Sequence, residues 1–296
     1  MMAQEPHLFV LGIAQDGGYP QTSCRGACCA DAWHDPTLRR HACCMGILDP
    51  VTGARWLIDV TPDIKVQWHM LNRLAEAHTT ADTLAPASPT GIFLTHAHIG
   101  HYTGLMHFGR EAASTVDLPV YAMPRMRAFL ERNAPWCHLI AERHVMLLDL
   151  HDGERVVLRP DLTVTPILVP HREEFSETVG FTIRGPERAA LYIPDIDAWE
   201  LWSHALTDVI RTVDIAFLDG TFYDGKELPG RDLTTIPHPC VSDTMEQLAS
   251  LPAEQRQKVH FIHLNHTNPL LWSNETQRAL RARGFEIGQE GAGFRL

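Results

Sequence analysis

Thr95-His96-Ala97-His98-Ile99-Gly100-His101 follows the apolar run Gly91-Ile92-Phe93-Leu94, which places three imidazoles where a buried strand gives way to a loop. Side chains of extended backbone alternate between faces, so His96 and His98 project to one side and two ring nitrogens can reach one ion. Neutral imidazole is the side chain most often found on zinc and related divalent ions. A His-rich turn can also be solvated loop, but three histidines at this spacing behind a strand favour a metal site, with His101 directed at a second ion.

Three further apolar runs end in residues of the same chemistry. Ile167-Leu168-Val169-Pro170 leads to His171, Ala190-Leu191-Tyr192-Ile193-Pro194 to Asp195, and Val259-His260-Phe261-Ile262 to His263. Each alone is more often a cap or turn residue. Their shared position carries the information. Active sites of layered α/β folds gather at strand ends, so His96, His98, His101, His171, Asp195 and His263 are expected to meet in one cleft.

The 296 residues, 45% hydrophobic and 8% aromatic, are enough for a sizeable core, and no linker or repeat divides them, so residues 1–296 read as one domain. A formal net charge of -11 argues against a general nucleic-acid binder, whose affinity rests on many Lys and Arg contacts to phosphate. The expected partner is a small-molecule substrate, with no long nucleic acid and no membrane; a homodimer is compatible with the sequence. The apolar run over residues 8–14 is too short to span a bilayer and lacks a basic flank, which fits a cytoplasmic protein. Seven cysteines, with Cys28-Cys29 and Cys43-Cys44 adjacent, make a poor disulfide framework and suit metal binding or free thiols.

Hydrophobic patterning predicts a strand over residues 7–14, then a loop opened by the turn residues Gln15-Asp16-Gly17-Gly18-Tyr19-Pro20. Residues 44–48 and 55–60 read as a hairpin around Asp49-Pro50-Val51-Thr52-Gly53. Thr61 as N-cap and Pro62 in the first turn predict a helix with Val66, Met70, Leu71 and Leu74 on its apolar face. A soft connection covers residues 77–89. After the histidine loop come a helix over 105–112, a strand over 120–123 and a helix over 124–133. Short strands follow over 156–158, 162–169, 178–183 and 190–193, before helix and strand alternate again. This is an α/β pattern of two sheets flanked by helices.

Taken together, a strand followed by the His cluster and later His, Asp and His at strand ends resembles the metallo-beta-lactamase fold, a four-layer αββα sandwich. Within that superfamily the chain is similar to the pyrroloquinoline quinone biosynthesis protein B family. The similarity runs through Leu11-Gly12, Gly17-Gly18-Tyr19-Pro20-Gln21 and the cysteines after it, Thr61-Pro62-Asp63-Ile64, Thr103-Gly104-Leu105, Asp219-Gly220-Thr221 and His263-Leu264-Asn265-His266-Thr267-Asn268-Pro269. That family typically lacks the first two histidines of the loop. Here His96 and His98 are both present, which resembles a homologue that kept a hydrolase-type first metal site.

The resemblance implies that His96, His98 and His171 hold a first ion, that Asp195 bridges, and that His101 and His263 hold a second. Where the superfamily has an Asp in the loop this chain has Gly100, so the second ion is expected to keep at most His101, His263 and Asp195, and to bind more weakly. The cyclic ribose phosphodiesterases of phosphonate breakdown, relatives with the same fold, carry a structural zinc on amino-terminal cysteines and a His three residues after the last active-site His. That pattern falls here on Cys24, Cys28, Cys29 and His266, with Gly26 at the family's middle cysteine position. Free thiols in a surface loop are the alternative. Cys43 and Cys44 read as a buried strand pair. Asp219-Gly220-Thr221-Phe222 followed by His238 is similar to the acidic-x-Thr-Phe motif and His of the tRNA 3'-end nucleases, which implies a general acid paired with Asp219; a plain helix-capping His is the alternative.

The implied activity is metal-dependent hydrolysis of a small phosphodiester through water activated by zinc or manganese, with Asp195, His238 and Asp219 as catalytic residues. One or two divalent ions would sit in the active site and one structural zinc at the cysteines. A lactone or ester hydrolase, an iron-dependent oxidoreductase of quinone biosynthesis and a noncatalytic metal carrier are the alternatives, since a His/carboxylate site can also host iron.

Overall fold

The structure is a computed structural model that describes residues 5–79, 86–227 and 237–296. Residues 80–85 of the soft connection expected over 77–89 therefore lie outside the described residues. One sheet takes β1 (His7–Gly12), β2 (Cys44–Leu48), β3 (Arg55–Ile58), β4 (Gly91–Phe93), β5 (Leu118–Ala122) and β6 (Val145–Asp149) in chain order. A second takes β7 (Val156–Arg159), β8 (Leu162–Leu168), β9 (Val179–Arg184), β10 (Ala189–Ile193), β11 (Ile215–Asp219), β12 (Val259–Ile262) and β13 (Glu286–Ile287), again in order. The last strand, β14 (Gly293–Arg295), returns to the outer edge of β1. Pairing is antiparallel from β1 to β3 and parallel from β3 to β6; in the second sheet it is antiparallel from β7 to β10 and parallel from β10 to β13. Strands β3, β10 and β11 are buried along their whole length, as parallel strands covered on both faces must be.

The sheets face each other. Phe93 of β4 meets Phe181 of β9 edge to face at 5.8 Å, and the Tyr192 hydroxyl of β10 donates to Cys43 Sγ at 3.5 Å. Cys43 and Cys44 are both buried, Cys44 opening β2. Helices lie outside the sheets, which completes the expected αββα sandwich. Helix α1 (Ala27–His34) rises from the first loop and α2 (Ile64–Glu76) packs on β1 and β2. The start of α2 falls later than the Thr61 cap predicts. Thr61 Oγ1 accepts from the Asp63 amide at 3.0 Å and donates to the buried Gln67 side chain at 2.7 Å, so it closes a turn ahead of the helix. The buried face is Ile64, Gln67, Leu71 and Ala75, whereas Val66 faces solvent.

The helix expected over residues 105–112 is replaced by the short helix α3 (Ile99–Tyr102) and a 3₁₀ turn over Thr103–Phe108. Gly104 is pinned against the exit of β3, its amide donating to Val60 O at 3.0 Å, and a Cβ there would lie 2.2 Å from Thr61 O. The tighter turn still buries Leu105 and Phe108, three residues apart on one face. Helix α4 (Pro124–Arg132) then follows as expected. No helix among the described residues is long and apolar enough to cross a membrane.

These pairings run β1, β3 and β4 toward one edge of the first sheet, and β8, β10, β11 and β12 toward one edge of the second. Hydrogen bonds join the two edges. Leu264 N donates to Ile13 O at 2.8 Å, Gln15 N to Leu264 O at 2.9 Å, and Val179 N to Thr95 O at 3.1 Å. The loops leaving these strand ends therefore share one mouth, the usual place for ligands in parallel α/β sheets.

Candidate active site

His96 and His98 leave the end of β4 and meet His171, which follows β8. His96 Nε2 lies 2.8 Å and His171 Nε2 3.3 Å from His98 Nδ1, close to the roughly 3.3 Å between two nitrogens on one tetrahedral zinc. The far nitrogen of each ring is tied down, His96 Nδ1 to Thr95 Oγ1 at 2.9 Å and His171 Nδ1 to Asp197 at 2.9 Å. Such ties fix which nitrogen faces the ion. Burial, reinforced by the charge of His101, holds His96 well below the ordinary imidazole range, and burial brings His171 down to about 4. Both rings are thus neutral and free to donate lone pairs.

His101 belongs to α3 and His263 follows β12 in a left-handed backbone conformation, φ 58°. Their Nε2 atoms lie 3.1 and 3.4 Å from Asp195 Oδ2, while Asp195 Oδ1 is 3.6 Å from His171 Nε2. Asp195 thus stands between the two sets of histidines. Behind them His101 Nδ1 donates to Asp59 at 2.8 Å, and His263 Nδ1 is 3.0 Å from Thr221 Oγ1. Burial alone would raise the Asp195 carboxyl and lower His101; the facing opposite charges outweigh it and send Asp195 well down and His101 well up.

The first loop brings a further carboxylate beside His101, His263 and Asp195. Asp16 Oδ1 lies 3.3 Å from His101 Nε2 and 3.6 Å from His263 Nε2, and the three residues form one compact group of ligand atoms. The turn composition of residues 15–20 concealed Asp16, since Asp is an ordinary turn residue. Asp59, Asp197 and Thr221 were also missed as partners of the ligand rings. Asp59, at φ 66° and fully buried where β3 ends, carried the one usable signal: a carboxylate straight after an apolar strand.

The site accommodates divalent metal on its own evidence. His101 Nε2, His263 Nε2 and Asp195 Oδ2 are buried, face one another and have no hydrogen-bond partner among the described residues. Leaving such atoms unpaired is costly, and a cation shared among them removes the cost.

His238 sits beside this cluster, a ring nitrogen within 4.8 Å of the ligand atoms of His171 and Asp195. Its Nδ1 is 2.8 Å from Asp219 Oδ2, and Asp219, at the end of β11, also accepts from the amides of Ile196 and Thr221. Burial pulls the His238 pKa down, but the Asp219 charge and hydrogen bond prevail and raise it.

Cys24, Cys28, Cys29 and His266 form a second, separate group. Cys24 Sγ to Cys28 Sγ is 3.7 Å, and Cys28 and Cys29 Sγ lie 3.6 and 3.5 Å from His266 Nδ1. Tetrahedral zinc with thiolate and imidazole ligands requires separations of about 3.8 Å between sulfurs and about 3.6 Å from sulfur to nitrogen. Cys28 and Cys29 reach one point although adjacent, because they open α1 rather than extended chain.

The Beta-lactamase superfamily domain matches residues 54–263. Coenzyme PQQ synthesis protein B of Methylobacterium nodulans is 26% identical over 97% of this chain and 99% of its own length. Zinc-bound PqqB from Methylobacterium extorquens superposes with a TM-score of 0.80 at 22% identity, covering 98% of this chain and 100% of that one. A diphosphatase from the PhnP family superposes with a TM-score of 0.71 at 23% identity over 99% of this chain and 97% of that one. With its strand-end histidines and its two facing sheets, the chain belongs to the beta-lactamase superfamily.

Proposed function

We propose that the chain is a metal-dependent hydrolase acting on a small phosphodiester. The carrying observation is the pair of histidine sets that share Asp195, with His101 Nε2, His263 Nε2 and Asp195 Oδ2 buried and unpartnered among the described residues. In this reading His96, His98 and His171 hold one ion, His101 and His263 help hold another, and Asp195 lies between. Such ions, when bound, polarise a phosphoryl oxygen and lower the pKa of water to about 7. His238, its pKa raised by Asp219, supplies a proton to the leaving oxygen.

Substrate size is read from the neighbouring surface. A hollow of about 280 Å³ lined by Arg125, Phe129, Arg132, Glu174 and Phe175 adjoins the cluster, Glu174 lying 3.5 Å from His98 Nε2. Pockets for drug-sized ligands run from roughly 300 to 1,000 Å³, so this hollow suits a small organic group, with arginines for its charge. A larger cavity of about 630 Å³ beside Arg39, Arg281 and Glu290 contains none of the clustered ligands, so the chemistry favours the smaller one.

A second reading has one specific support. Asp16, His101 and His263 make a two-His, one-carboxylate set of the kind that holds iron in oxygen-activating enzymes. Turnover of bis-p-nitrophenyl phosphate and of cyclic nucleotides, measured with zinc, manganese or iron and after chelation, separates the two. Hydrolysis that chelation abolishes supports the hydrolase; oxygen consumption with iron and no hydrolysis with any metal sinks it.

A further inference from the structure

We infer that Asp16 supplies from the first loop the second-ion carboxylate that the histidine loop lacks at Gly100, and that position 100 is glycine because Asp16 fills its side-chain space. The two positions exclude each other. A Cβ built on Gly100 would lie 2.2 Å from Asp16 Oδ1, 2.7 Å from its Cγ and 2.6 Å from its Cα. No rotation of the Asp16 side chain relieves the contact with its Cα, so any larger residue at 100 must push the loop away.

That loop is not free to move. Gln15 N donates to Leu264 O at 2.9 Å, Gly18 N to Gln15 O at 2.8 Å, and Tyr19 and Arg40 exchange a pair of backbone hydrogen bonds at 2.8 Å. Gly18 takes φ 68°, a left-handed conformation that turns the chain back. The anchored turn presents Asp16 Oδ1 to the unpartnered Nε2 atoms of His101 and His263. The second ion then has two imidazoles and two carboxylates, Asp16 and Asp195. The ligand charge lost at position 100 is restored from a segment distant in sequence.

This rests on the metal-site part of the proposed function, and its test reads bound metal rather than turnover. Zinc is titrated by calorimetry into chelator-treated wild type, Asp16→Asn and Gly100→Ala. Wild type is expected to take one equivalent at the cysteines and one at each active-site position. Asp16→Asn keeps the shape of the side chain and removes its charge. It is expected to lose the second active-site equivalent, by more than the roughly 10–100-fold that loss of a ligand's hydrogen-bond partner costs. Gly100→Ala, which adds no polar atom, is expected to lose the same equivalent by displacing Asp16. Should Gly100→Ala not fold, the near-isosteric Asp16→Asn decides alone. Both active-site equivalents at wild-type affinity in Asp16→Asn overturn this inference and leave the hydrolase reading standing; no active-site zinc in wild type overturns both.

Discussion

His238 has Asp219 on one side and the histidine cluster on the other, a position that allows either proton delivery or metal ligation. The two roles differ in what substitution does. A proton donor contributes typically 10²–10⁴-fold to rate. We expect His238→Ala to lower kcat by about that factor on a substrate with an alkoxide leaving group, by much less on p-nitrophenyl esters, and to leave bound metal unchanged. Equal losses on both substrates together with lost metal would make His238 a ligand. Among single residues, the sequence was legible where clustered side chains adjoin one another or close an apolar run, as His96, His98, His101, His171, Asp195 and His263 do. It was silent on Asp16, which reaches His101 and His263 only because β12 and β1 exit side by side, and on Asp197, which meets His171 from 26 residues away.

Two elements hold the first loop in place, and each can be probed separately. The cysteine group fastens the start of α1 to the segment after β12, closing a span of 238 residues between Cys28 and His266. A closed structural zinc contributes folding energy directly. Cys28→Ser or His266→Ala should therefore release about one zinc and lower the melting temperature, while the ion at His96, His98 and His171 stays; unchanged melting and zinc content would mean free thiols. The second fastener is His41, whose amide and Nδ1 both face the Glu290 carboxylate, at 2.6 and 3.1 Å. The hydrogen bond to Glu290 is the main cause of a raised His41 pKa; burial and Arg40 oppose it, and the charges of Glu290 and Asp63 add to it. A His raised in the folded state stabilises fully below its unfolded value, about 6.5, and the contribution fades as pH rises through the folded value. Wild type should thus lose stability relative to His41→Gln in the pH window that opens at about 6.5 and extends upward. Urea midpoints that run parallel across that window would show that the pair does not titrate as described. Element boundaries were less legible than these ties. Thr61 was expected to cap α2 and instead bonds to Gln67, and residues 105–112 were expected to be helical but are pinned by Gly104 to the exit of β3.

The described residues form two sheets, laid down in chain order except for β14, meeting through residues such as Phe93 and Phe181 and opening at one shared edge. That architecture was readable from apolar runs that end in His or Asp. Closure of the first sheet by β14 left no comparable mark in the sequence. The proposed function carries one central claim: metal held at the shared edge would be required for chemistry, and a zinc at the cysteines would not. Stepwise return of zinc to chelator-treated protein, with bound metal and phosphodiester turnover measured on the same samples, tests this most directly. We expect turnover to be absent while only the cysteine group is filled, to rise as the positions at His96, His98, His101, His171, Asp195 and His263 fill, and never to appear in His171→Ala. Turnover that is independent of zinc occupancy, or that survives in His171→Ala, would contradict it.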